Sequence, residues 1–204
     1  NEIILDDSIV PKFEKGCFDG SGIKMIFCHT KEQYDSAVKQ LKVLGVTGID
    51  VKQISSSKEG FSYVVKNDGQ KNNVILISAP DGITEFDGKV TAGDGRTVTV
   101  TTINDGAFSN SSELKWVILP ESVKTIGSGA FKNCSKLVGV LIDSKDTVRI
   151  ENKAFDGCDA LRFIASNAMN GSIADGYIPY VEDKYGPQNL NSKFFFALPE
   201  AEGY

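Results

Sequence analysis

Between residues 103 and 164, apolar side chains fall in the same places three times over. Ile103, Ala107 and Phe108 return 23 residues later as Ile126, Ala130 and Phe131. They return again after 24 more as Ile150, Ala154 and Phe155. Past each phenylalanine come Ser111, Cys134 and Cys158, then Leu114, Leu137 and Leu161, then Val117, Val140 and Ile164. Leu119 and Ile142 close the first two copies, and Ser166 breaks the series. The extra residue in the third step predicts a bulge within Asp143–Thr147. A fixed period of this length is the mark of a solenoid, in which each turn exposes an apolar face that only its neighbours cover.

The same pattern assigns elements within a turn. Leu114, Val117 and Leu119 are predicted to point inward from a strand and its flanks, and Pro120 to end it, since proline donates nothing to a ladder. The Ala-Phe pair after a glycine-rich corner suits a short helical turn. Weaker copies lie upstream. Phe13 to Phe18 keeps the five-residue spacing, with Cys17 in the alanine slot and Ser21 three residues on, while Ile23 and Ile26 arrive one residue early. A second partial copy equates Val74, Ile77, Ala79, Pro80, Ile83 and Phe86 with Leu114, Val117, Leu119, Pro120, Val123 and Ile126.

Elsewhere the period changes. Tyr34, Ala37, Val38, Leu41 and Leu44 share one face of a helix over residues 30 to 45. Thr30 and Gln33 form a capping box at its start, and Gly45 is a left-handed C-cap. The helix either caps an end of the solenoid or is an insertion that contacts a partner, and capping is preferred because terminal repeats need a cover. Two hairpins are predicted: Phe61–Val65 with Val74–Ile77 around Asn67-Asp68-Gly69, and the β-branched flanks of Gly93-Asp94-Gly95. Beyond Ile164, the segment from Ile178 through Pro179 to Gly186 resembles a strand and short helix. Residues 187 to 204, with Phe194 to Phe196, fold back as a cap.

The string from Leu119 through Ile126 and Phe131 to Leu137 resembles the signature of the BspA-type leucine-rich repeats. The likeness is specific over residues 103 to 164 and extends more weakly over 74 to 102 and 5 to 28. It implies a β-rich α/β fold: a right-handed leucine-rich-repeat solenoid with short helical turns, one helix insertion and a C-terminal cap. The expected organisation is one domain. It has a degenerate repeat at 1–28, a helix-containing insertion or cap at 29–60, a hairpin and partial repeat at 61–102, regular repeats at 103–165 and the cap at 166–204. The family is associated with bacterial and protist surface proteins and with adhesion, and it defines core positions rather than catalytic ones.

Charge and chemistry narrow the function. With 22 Lys and Arg against 27 Asp and Glu, the chain has a net charge of -5. Its basic residues are scattered, which argues against a phosphate-binding surface and so against nucleic acid. No apolar run approaches the roughly 20 residues that cross a bilayer. The N-terminus lacks a signal-peptide pattern, so a secreted or cell-surface location requires a leader absent from this chain.

The four cysteines include no CxxC pair. Cys134 and Cys158, one repeat apart with Cα atoms about 5 Å from each other if strands stack, are either a disulfide or, as preferred, buried reduced thiols. His29 is the single histidine and is expected to be structural. The carboxylate pairs Asp6-Asp7, Asp156/Asp159 and Glu182-Asp183 sit in turns or polar faces. No GxSxG elbow, P-loop or EF-hand pattern is present, and Lys145 argues against calcium in Asp143–Asp146. No catalytic residue, cofactor or metal is therefore expected.

The expectation is a non-enzymatic, monomeric protein-binding module, with adhesion to host or neighbouring-cell proteins as what the resemblance implies. Lys115, Trp116, Ile118, Leu141, Arg162 and Phe163 are its candidate contact residues, with Val138 and Gly139 on the same strands. Trp116, Leu141 and Phe163 form an apolar patch unless the C-terminal tail covers it. The alternatives are an architectural spacer, for which Trp116 is shielded, and a glycan-binding module stacking sugars on Tyr177, Tyr180 and Tyr185.

Overall fold

The structure is a computed structural model that describes residues 2–6, 8–67, 72–144, 146 and 148–166. The chain divides into two compact units, Asn1–Ser55 and Ser56–Tyr204.

In the first unit, strands β1 (Glu2–Ile4), β2 (Met25–Cys28) and β3 (Asp50–Gln53) form a parallel sheet in sequence order. Glu2 pairs with Met25, and Met25 with Asp50, so the rungs repeat after 23 and 25 residues. The return from β2 to β3 is helix α1 (Lys31–Leu44). Thr30 and Gln33 make the expected capping box, and Gly45 is left-handed at φ 68°. Ala37 and Leu41 bury against Ile26, Cys28 and Val51. Gln33 is buried for a reason the apolar pattern does not show. Its amide oxygen accepts from the His29 and Thr30 amides, and its nitrogen donates to the Ile9 and Asp6 carbonyls. Gln40 ties the helix to Pro11 and Phe13 in the same manner.

The second unit holds the regular repeats. β4 (Ser55–Ser56) lies at the boundary. β5 (Ser62–Asn67) and β6 (Asn72–Ser78) form the first predicted hairpin, whose turn at 68–71 lies outside the described residues. β8 (Lys89–Thr91) and β9 (Thr97–Thr99) form the second. Two parallel ladders run along the solenoid. One joins β6, β10 (Thr102–Ile103), β12 (Thr125–Ile126) and β14 (Arg149–Ile150). The other joins β7 (Glu85–Phe86), β11 (Trp116–Leu119), β13 (Gly139–Ile142) and β15 (Phe163–Ser166). Leu119 pairs with Ile142 and Ile126 with Ile150, which places the extra residue of the third step between Ile142 and Ile150, an interval that includes the expected 143–147.

Between the ladders sits a column of rings. Phe108 and Phe131 stack at 5.0 Å, and Phe131 and Phe155 at 5.2 Å, nearly parallel. Phe86 extends the column at 5.0 Å from Phe108, and Phe61 lies 5.2 Å from Phe86. This corrects the register of the upstream copy. Phe86 pairs beside Val117, not in the slot of Ile126, and Leu76 fills the slot of Ile103 and Ile126. The turn from Leu76 to Phe86 takes 10 residues where that from Ile103 to Val117 takes 14, and the shorter path draws Phe86 into the column.

The corners are linked hydrogen-bonded turns rather than helical turns. Ala107 donates to Asn104, Ser109 to Gly106 and Ser111 to Phe108. Two left-handed residues four apart bend each corner: Gly106 and Asn110, Gly129 and Asn133, Lys153 and Gly157. A non-glycine residue in this region is uncommon, and asparagine tolerates it better than most. Gly16 and Gly20 repeat the spacing in the N-terminal unit, and Cys17, Asp19 and Ser21 donate to the equivalent carbonyls. Cys17 is nevertheless exposed, unlike the buried alanines of its slot.

Cys134 and Cys158 are buried thiols that are not joined in a disulfide. Their Sγ atoms donate to the carbonyls of Phe108 and Phe131, 3.0 and 2.9 Å away. Each thiol therefore bonds the preceding turn. The expected cap over 166–204 falls, from residue 167 onward, outside the described residues.

Candidate partner-binding surface

Side chains alternate across a strand, so the burial of Val117 and Leu119 in the core turns Trp116 and Ile118 outward. They are 37% and 46% exposed. Parallel register sets their neighbours: Glu85, Trp116, Gly139 and Phe163 lie in one row, and Ile118, Leu141 and Ala165 in another. Gly139 brings no side chain to the row beside Trp116. Lys115 and Arg162 are exposed, Val138 and Leu141 half-buried, and Gly139 buried. Arg162 donates to the Asp159 carbonyl at 3.3 Å, which folds its guanidinium toward its own turn. The strand backbone carries Phe163 next to Gly139, while its side chain lies outside the described residues. The ladder therefore aligns the three strands on which Trp116, Ile118, Leu141 and Phe163 lie, with Lys115 and Arg162 immediately before the first and the third.

A groove lies beside this face. It encloses about 380 Å³ against Trp116 and Ile118, with Phe61 and Phe86 among its lining residues. Glu59, Glu85, Asp87 and Lys89 also line it. The sequence hides the groove because its walls come from three places: the loop before β5, the short strand β7 and the start of the β8–β9 hairpin. Glu59 is fixed there by accepting the Thr91 amide at 3.0 Å, while Lys58 donates its own amide to the Thr91 carbonyl. Hydrogen bonds from Thr91 pull the Glu59 carboxyl down to about 2, so it stays charged in ordinary buffers. Asp87 accepts the Lys89 amide at 3.0 Å.

The other candidate chemistry has structural explanations. His29 is half-buried, and its backbone amide caps onto Gln33. Asp6 is held ionised chiefly by hydrogen bonds from Ser8. Asp146 pairs with Lys124 at 2.8 Å. Among the described residues no three His, Cys, Asp or Glu side chains are grouped to hold a metal. No described helix is long and apolar enough to cross a membrane. Glu182, Asp183, Tyr177, Tyr180 and Tyr185 lie outside the described residues.

Comparison with known families agrees with the stacked turns. Residues 96–177 match the family model described as BspA type Leucine rich repeat region, in six copies. The upstream copies at 5–28 and 74–102 lie almost wholly before that match. Among solved structures, a leucine-rich repeat protein from Bacteroides capillosus is 26% identical, with a TM-score of 0.45 over 57% of this chain and 94% of that one. A leucine rich cell surface protein from Faecalibacterium prausnitzii is 18% identical, with a TM-score of 0.41. That alignment covers 60% of this chain and 41% of the other. No curated protein matches.

Proposed function

We propose that this chain, whose residues 96–177 match the model of the BspA-type leucine-rich-repeat region, is a non-enzymatic binding module of a secreted or cell-surface protein. Its partner is a protein on a host or neighbouring cell. The strand face around Lys115, Trp116, Ile118, Leu141, Arg162 and Phe163 is the surface that meets it.

The observation that carries this reading is the exposure of Trp116 and Ile118, two residues apart on one strand and both lining a groove. The repeat buries its inward residues almost completely, whereas these two large apolar groups stand on the outward face with 37% and 46% of their surface exposed. Contiguous apolar patches on soluble proteins mark interaction sites, and tryptophan is over-represented among residues that dominate binding energy. A purely architectural spacer has no use for them.

The test is binding of immobilised wild-type protein to a panel of purified extracellular-matrix and epithelial surface proteins, repeated with Trp116→Ala and Ile118→Ala. Loss of a hot-spot residue is worth roughly 2 kcal/mol or more, so Trp116→Ala should weaken capture about thirtyfold while the far-ultraviolet circular dichroism stays unchanged. Unchanged capture by a folded Trp116→Ala protein, or no capture by wild type, overturns the proposal.

A further inference from the structure

The groove beside Trp116 has a charge character that says what kind of segment fits it. Three carboxylates, Glu59, Glu85 and Asp87, line it against one ammonium, Lys89, which leaves a formal charge of −2 in a cavity of about 380 Å³. Glu85 is the register partner of Trp116 on the adjacent strand, so a carboxylate and an indole share one wall. Among the described residues no ion pair engages Glu85 or Asp87. Phe61 and Phe86, both buried, add apolar lining to the same groove.

We infer that this groove receives an exposed segment of the protein partner in which a lysine or arginine flanks an apolar side chain. The inference rests on the reading of the strand face as a partner-binding surface, and it adds the chemistry of the partner. The cation lies between the Glu85 carboxylate and the Trp116 ring, an arrangement that combines charge attraction with the attraction of a cation for an aromatic face. The apolar neighbour enters over Phe61 and Phe86. The fixed charge on Glu59, held in place through Thr91, keeps the groove negative. An acidic segment meets like charge there and is rejected, which gives the site selectivity as well as affinity.

One chemical feature makes the test direct: Trp116 is the single tryptophan of the chain, so its indole N–H signal in a nitrogen–proton correlation spectrum needs no assignment. The full chain is titrated with the heptapeptide Gly-Ser-Arg-Leu-Arg-Ser-Gly, blocked at both ends, and with the same peptide carrying Glu in place of each Arg. The basic peptide should move the indole signal with saturation, and the movement should fade as salt screens the attraction. The acidic peptide should leave it in place. In the double variant Glu85→Gln, Asp87→Asn, affinity for the basic peptide should fall by roughly tenfold, two exposed charge contacts each being worth up to about fivefold. Both substitutions keep side-chain shape, and the carboxamide placed at position 87 retains an oxygen to accept the Lys89 amide. Equal response to the two peptides, no response to either, or an undiminished response in the double variant overturns the inference. Should the panel proteins be lost by Trp116→Ala yet bind the Glu85→Gln, Asp87→Asn protein as they bind wild type, the charge inference fails and the binding face stands. Should Trp116→Ala have no effect, the binding face itself fails.

Discussion

Replacing Phe131 by alanine removes the ring at the centre of the column. That ring is fully buried and stacks on Phe108 at 5.0 Å and on Phe155 at 5.2 Å, with interplanar angles of 13° and 2°. A buried phenylalanine removes about 150–250 Å² from water, which at about 25 cal/mol per Å² corresponds to roughly 4–6 kcal/mol of transfer energy. Alanine recovers part of that area, and measured Phe→Ala losses in cores run about 3–5 kcal/mol. With a urea dependence of about 2 kcal/mol per molar, the unfolding midpoint should drop by about 1.5–2.5 M. Phe131→Leu separates burial from stacking. It keeps most of the apolar volume and gives up two ring contacts worth about 0.5–1.5 kcal/mol each. A double-mutant cycle of Phe108→Leu with Phe131→Leu should then show a coupling of that size. Urea titrations followed by circular dichroism measure all of these, with Val43→Ala, at a position 78% exposed, as the control expected to change by less than about 0.5 kcal/mol. A Phe131→Ala loss below about 1.5 kcal/mol, or no coupling in the cycle, would refute the stacked column.

Three further outcomes follow. Gly88→Ala should destabilise by several kcal/mol or prevent folding, because the new Cβ would overlap Pro120 Cδ at a backbone φ of 75°; thermal melting checks it. The Lys136–Glu113 bridge joins equivalent positions of successive turns at 2.7 Å but is about half exposed. Breaking it with Glu113→Gln should therefore leave the urea midpoint almost where it is, and any small loss should disappear in high salt. Glu59 has its carboxyl depressed from 4.5 to about 2, so its stabilising contact with Thr91 is fully present above about pH 4.5 and is lost as pH falls toward 2. The Thr91 amide shift, followed through an acid titration, should move in that lower window, and movement centred near 4.5 would contradict the geometry.

Much of the fold is legible because a solenoid writes the same burial problem into each turn. Ile, Ala, Phe, Leu and Val recur at fixed offsets, so the ladder positions, the interior rings and the inserted residue after Ile142 can be read without coordinates. The helix is legible for a different reason: Thr30, Gln33 and Gly45 carry its ends locally. What failed to show was set by chain path rather than by pattern. Phe86 has the sequence spacing of Ile126 but stands in register with Val117, because the turn before it is four residues shorter. Lengths of corners depend on the left-handed residues that bend them, and Lys153 gives no sign of that role in sequence.

The candidate surface divides along the same line. Trp116 and Ile118 are predictable as outward residues from strand alternation alone. The groove beside them is not, since Glu59, Phe61 and Glu85 approach only after the β5–β6 hairpin and the shortened turn are in place. Cys134 and Cys158 illustrate the middle case. Their shared slot is evident from the repeat, while the use of their thiols as donors to the Phe108 and Phe131 carbonyls emerges only from geometry.

The register of the turns underlies the proposed binding face as much as the core, and ring-to-ring nuclear Overhauser effects in phenylalanine-labelled protein measure it directly. Cross-peaks from Phe131 to both Phe108 and Phe155, with none between Phe108 and Phe155, are the predicted result. A Phe131 ring that contacts neither would contradict it.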